Sequence, residues 1–105
     1  MTEQFRKRFG FFMVHEAIES AASLDVLCQA MERAKSAKPK DVTASLHDGR
    51  FGAGWAKAMP GGEVQFDENG LNIISMPIMV QWRNKQLVTV WPKEIAKASP
   101  VWHSQ

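Results

Sequence analysis

The sequence predicts a mixed chain of helices and strands, with amphipathic helices first and a β-hairpin last. Two observations carry that expectation. From Val14 to Met31 apolar residues recur at steps of three and four, the period of one helical face. From Ile78 to Trp91 the period is two, broken once at Asn84-Lys85, as in two strands joined by a tight turn.

Size and composition set the bounds within which those elements must work. A chain of 105 residues allows one domain with a modest core, burying about two-thirds of its unfolded surface. With 45% hydrophobic and 23% charged residues the composition is that of an ordinary globular protein and excludes a disordered chain. No apolar run approaches the ~18 residues of a membrane span. A formal charge of +2 is too small for a polyanion-binding surface, and Arg6-Lys7-Arg8 is the only dense basic run, so no nucleic-acid partner is expected.

Gly10 closes a first short helix that begins near Thr2, because a residue without Cβ takes the left-handed position past a helix end cheaply. The second helix presents Val14, Ala17, Ile18, Ala21, Leu24, Leu27, Cys28 and Met31 to a core. Its opposite face carries Glu16, Glu19, Ser20, Ser23, Gln29, Glu32 and Arg33 for water, and the helix frays by Ser36. Pro39 opens a third, short helix whose apolar positions are Val42 and Leu46, since its missing N–H would be unpaired there anyway. These helices make up a part spanning 1–47. A connection at 48–62 follows, irregular around Trp55 because five glycines punctuate it.

The part spanning 63–105 is extended. Val64 and Phe66 flank polar Gln65, and Asp67-Glu68-Asn69-Gly70 ends that strand in a turn. Ile73, Ile74, Met76 and Pro77 lead into the hairpin, where Ile78, Val80 and Trp82 share one face and Met79, Gln81 and Arg83 the other. After the turn, Leu87, Thr89 and Trp91 oppose Gln86, Val88 and Val90, and a helical turn begins at Pro92. Lys85 is a poor residue for the positive φ such a turn requires.

No spacing in the chain assembles a reaction centre. Cys28 is the single cysteine and is expected to pack on the helical stripe as a small apolar residue. His15-Glu16 lacks the second histidine of a zinc helix, because position 19 is Glu19. Asp67, Asn69 and Gly70 miss the calcium-loop spacing, in which glycine is sixth and glutamate twelfth. The glycines from Gly49 to Gly54 lack the Lys-Ser/Thr pair of a phosphate loop. His15, His47 and His103 have no local pairing with a nucleophile. No catalytic or metal-binding residue and no cofactor is therefore assigned. Four tryptophans remain to be placed: Trp82 and Trp91 are expected to meet across the hairpin, and Trp55 to be the most exposed. Arg6 to Arg8 before Phe11-Phe12-Met13-Val14 fail as a secretion signal, because His15 and Glu16 end the apolar run too soon.

The order of parts carries a resemblance. Phe5-Arg6-Lys7-Arg8-Phe9-Gly10, the helix from His15 to Ala34, Lys38-Pro39, Asp41 to Leu46, Pro60-Gly61-Gly62, Phe66-Asp67-Glu68-Asn69-Gly70, and Gln81-Trp82 with Val90-Trp91-Pro92 stand in one sequence. That series resembles the carboxyl end of the type I periplasmic solute-binding proteins that feed ABC transporters for branched-chain amino acids and amides. The match covers nearly all of this chain but corresponds to the last part of a full-length member. It departs from the family in a shortened stretch between Gly10 and Val14 and in having no secretion signal before it.

The resemblance implies an α/β fold of two lobes that close on a small solute, docking to an ABC permease. This segment then has a mainly architectural role, with the solute-holding residues earlier in the protein, so its ligand-binding residues are unknown. The periplasm follows from the resemblance, the cytoplasm if this signal-less chain is the complete product. A free-standing α+β interaction module is the alternative reading. Either way, uncovered strand edges favour a homo-oligomer.

Overall fold

The computed structural model describes residues 2–102, which fall into two compact units, Met1–Ser75 and Met76–Gln105. Both contain antiparallel strands only among the described residues, so the architecture is α+β. Among the described residues no helix is long and apolar enough to cross a membrane.

In the first unit, helix α1 (Thr2–Phe9) ends at Gly10, whose φ is +78° and whose N–H donates to the Arg6 carbonyl at 2.9 Å. Helix α2 (His15–Ala34) is closed by Lys35 at φ +48°, a left-handed position that glycine would fill with less strain. Helix α3 (Pro39–His47) starts on its proline as expected, with Val42 buried and Leu46 half-buried. Strand β1 (Arg50–Phe51) pairs antiparallel with strand β2 (Val64–Gln65), placing Phe51 opposite Val64. Between them lies a 3₁₀ helix, Gly54–Ala58. The stretch expected to be irregular thus holds a strand and a helical turn, and β2 pairs back onto it rather than onto the hairpin.

The core of this unit gathers Val26 and Ala30 of α2, Val42 of α3, Phe51, Ala56 and Val64, with Met31, Leu46, Met59 and Phe66 packed around them. Phe51 is the largest fully enclosed side chain. Gly49 is required beside it, because a Cβ there would collide with the Phe51 ring and lie 2.6 Å from the Ser45 carbonyl oxygen.

The face of α2 that meets this core is not the one its apolar spacing predicts. Ala22, Val26 and Ala30 are buried, whereas Leu24 is 63% and Leu27 41% exposed, and Val14 and Cys28 are exposed as well. The reason lies in the polar row at Asp25, Gln29 and Arg33. These side chains bond backbone groups of the segment from Arg50 to Trp55, which turns the helix toward that segment. Ala22 and Ala30 are small enough to let it approach. The expected solvent positions Gln29 and Arg33 are therefore tertiary contacts, and Cys28 does not pack.

The turn after β2 forms as its residues dictate. Asp67 Oδ1 accepts the N–H groups of Asn69 and Leu71, each at 2.9 Å, and Gly70 takes φ +79°. Asn72 bridges to Phe66, and its Oδ1 accepts from the Gln65 and Ile74 N–H groups.

The second unit is the hairpin and its tail. Strands β3 (Met79–Arg83) and β4 (Gln86–Trp91) pair antiparallel, Arg83 with Gln86, Trp82 with Leu87, Gln81 with Val88 and Val80 with Thr89. A register shift follows, and Met79 meets Trp91. Asn84 and Lys85 both take positive φ, +48° and +64°, the geometry that matches the twist of the strands. Trp82 and Trp91 do not face each other as expected: Trp82 sits beside the turn and Trp91 at the far end, because the pairing counts outward from Asn84-Lys85.

The tail covers the polar side of the hairpin. Gln81 donates to the Val101 carbonyl at 2.9 Å and accepts the Val101 N–H at 3.0 Å, Arg83 donates to the Ser99 carbonyl, and the Lys97 N–H donates to Thr89 at 2.8 Å. Val90 is buried beneath it, while Val80, Trp82 and Leu87 on the other face stay exposed. At Pro92 the expected helical turn closes through the Ile95 N–H to the Pro92 carbonyl.

Candidate functional site

Two concave surfaces and one polar clamp are the candidates, each within a single unit. The clamp is built on helical spacing: Asp25, Gln29 and Arg33 are four residues apart and so lie in a row along α2. Asp25 Oδ2 accepts the Trp55 N–H at 2.8 Å and a Gln29 amide proton at 3.0 Å. Arg33 donates to the Arg50 carbonyl at 3.2 Å while its guanidinium stands 4.9 Å over the Phe51 ring. Gly54 holds φ +55° directly against Asp25, where a Cβ would strike the carboxylate. The clamp fixes the 3₁₀ helix to α2, and its donors and acceptors are spent on protein groups.

Beside it Arg50 and Glu63 form a two-pronged ion pair, with Arg50 Nε donating to Glu63 Oε2 at 2.6 Å. The hydrogen bond from Arg50 holds the Glu63 carboxyl below its usual range, and the same bond raises the Arg50 guanidinium. Arg50 is thereby committed to Glu63.

The groove of the first unit, about 480 Å³, runs between α2 and the β2 segment over Val26, Leu27, Leu46, Met59 and Phe66, with Glu19 on its border. The groove of the second unit, about 890 Å³, lies between the hairpin and its tail; Val90, Trp91 and Trp102 line it, with Lys93 and Lys97 as its cations. Both fall in the size range of small-molecule pockets. Both are open, with few converging polar groups to orient a solute.

The residues weighed from sequence stand apart. His15 Nδ1 lies 3.3 Å from its neighbour Glu16 on the solvent side, and His47 Nδ1 lies 3.0 Å from the Asp67 carbonyl oxygen. His103 lies outside the described residues. Among the described residues no three His, Cys, Asp or Glu side chains gather where they could hold a metal. Trp55, expected to be the most exposed tryptophan, is 42% exposed against 84% for Trp102. The clamp itself was missed, although polar residues every fourth position beside Ala22, Val26 and Ala30 are a legible sign of a helix face meeting backbone.

Compared with protein-family models, curated proteins and solved structures, the chain matches none of them.

Proposed function

We propose that the chain forms the carboxyl-terminal segment of an ABC-transporter solute-binding protein for branched-chain amino acids or related amides. Its role there is to complete a lobe rather than to hold the solute. The observation that carries this reading is the α2 stripe: Val14, Leu24 and Leu27 are exposed on a helix whose core side is already satisfied. A helix apolar on two sides is one built to lie between two layers. The exposed Val80 and Leu87 on the hairpin repeat the pattern. The order of parts, from Phe5–Gly10 to Val90-Trp91-Pro92, supplies the family. On this reading the segment has no catalytic residue, works in the periplasm, and meets a permease only as part of the whole receptor.

Titration calorimetry of the chain with leucine, isoleucine, valine and simple amides tests it. The expected result is no measurable heat, because one wall of a cleft cannot enclose a solute. A micromolar Kd for any of them would overturn the assignment of the solute site to earlier sequence.

A second reading is a free-standing α+β interaction module whose exposed apolar faces are its partner surface. Light scattering coupled to size exclusion distinguishes it: a strictly monomeric chain that unfolds cooperatively closes its own core and supports the module, whereas a dimer or larger oligomer is expected of a segment that lacks its covering layers.

A further inference from the structure

The sequence singled out Arg6-Lys7-Arg8 as the one dense basic run, and neither the clamp nor the grooves use it. In the structure it lies beside an aromatic knob. Phe5 and Phe9 are one helical turn apart on α1, with ring centroids 4.6 Å from each other. The chain reverses at Gly10, and Phe11 returns to stack edge-on against Phe5 at 5.5 Å. The knob is not buried: Phe9 is 50% and Phe11 57% exposed. The main packing of this unit is of α2 on α3 and the 3₁₀ helix and of β1 on β2, and α1 has no part in it.

The cations flank this knob. On the helical wheel Arg6 and Arg8 lie to either side of the Phe5–Phe9 stripe and Lys7 lies opposite it, with Arg8 5.5 Å over the Phe9 ring. Neither the Arg6 nor the Lys7 side chain has an ion-pair or hydrogen-bond partner among the described residues. Glu3 is the single carboxylate of the helix, so the flank is strongly cationic although the whole chain carries only +2.

We propose that α1 and the turn to Phe11 dock the protein on an anionic lipid surface, the three phenylalanine rings entering the boundary between headgroups and acyl chains while Arg6 and Arg8, to either side of them, meet the lipid phosphates and carboxylates. An apolar aromatic face bordered by basic residues is the composition of helices that lie in a membrane interface. Charge complementarity selects the anionic lipid, since each Lys or Arg near such a surface strengthens attachment and does so only within a screening length. An acidic protein groove would need matching carboxylates around a pocket for three rings, whereas a bilayer accepts the knob in any rotation. The docking is peripheral, because among the described residues no helix is long and apolar enough to cross the bilayer. It stands independently of the solute-binding reading.

The test is co-sedimentation of the full chain with phosphatidylcholine vesicles, with and without phosphatidylserine, at low and high salt. Binding is expected to the phosphatidylserine vesicles only and to fall with salt. The double variant Arg6→Gln/Arg8→Gln should bind about 30-fold more weakly, and Phe11→Ser about tenfold more weakly. Circular dichroism of both variants controls for folding. If Phe11→Ser disturbs the fold, the double variant, on exposed side chains, decides alone. Absence of binding to phosphatidylserine vesicles, equal binding to neutral vesicles, or binding indifferent to the double substitution overturns the proposal. So does a drop in molar mass of Phe11→Ser in light scattering, which would give the knob to a second copy.

Discussion

Replacing Phe51 by alanine removes the side chain on which the first unit is centred. The ring is fully enclosed, held between Val26 and Ala30 of α2, Val42 of α3 and Val64 of β2, with the Arg33 guanidinium over one face and Gly49 against its edge. Deleting a buried phenylalanine costs about 3–5 kcal/mol through lost transfer energy and the cavity left behind. A domain this small is worth roughly 5 kcal/mol in total. Phe51→Ala should therefore bring the chain to the edge of unfolding in plain buffer, and Phe51→Leu, which keeps most of the volume, should cost about 1–1.5 kcal/mol. Leu24→Ala offers the contrast. That side chain is 63% exposed, so its loss should change stability by about 0.5 kcal/mol or less, although apolar periodicity puts it in the core. Urea titrations followed by far-ultraviolet circular dichroism give all three values, with the slope confirming that the transition is unchanged in kind. If Leu24→Ala costs as much as Phe51→Leu, α2 packs by its apolar stripe and the face described above is wrong.

Gly54→Ala should destabilise by about 1–2 kcal/mol, since φ +55° disfavours any residue with a Cβ and the new methyl meets Asp25. Adding Asp25→Ala removes that collision, so denaturation of the double variant should show a loss smaller than the sum of the two single losses. Asp67 gives a pH signature. The Leu71 N–H first, and then the Asn69 N–H and the charge of His47, hold its carboxyl below the usual carboxylate range, against the opposing effect of burial. A depressed folded-state value means the contribution is present above the unfolded carboxylate range and is lost as pH falls through the folded value. The stability difference between wild type and Asp67→Ala should stay constant from neutral pH down to the ordinary carboxylate range and shrink below it. Comparison with that variant separates Asp67 from Glu63, which titrates in the same sense. A difference that grows on acidification would refute the turn as the cause.

What was legible in the sequence was what local chemistry decides. Gly10, Pro39 and the Asp67–Gly70 turn each depend on a residue's own φ preference or on a side chain bonding its own backbone, and each forms where its residues require; the Asn84-Lys85 reversal forms at the one break in the two-residue period, with Lys85 against its own preference. The facing of α2 depends instead on distant partners. Its helix is apolar on two sides, and the choice falls to Asp25, Gln29 and Arg33 meeting carbonyl and amide groups some twenty residues on. Strand β1 is two residues long and exists only because β2 returns to pair with it, so no alternation could announce it. The separation of Trp82 from Trp91 follows from a register counted from the turn and a shift near Met79. The candidate site was illegible for a related reason: the clamp's polar residues read as a solvated face until the backbone they bind was in place.

The claim on which the functional reading rests is that this segment completes a larger two-lobed protein, and the nucleotide sequence and transcript 5′ of the Met1 codon test it most directly. The account predicts an open reading frame continuing upstream in phase, encoding the remaining strands and helices of both lobes behind a secretion signal, on one transcript with the present segment. A transcript starting just upstream of Met1, with a stop codon in phase and its own ribosome-binding site, would contradict it and leave the free-standing module as the reading.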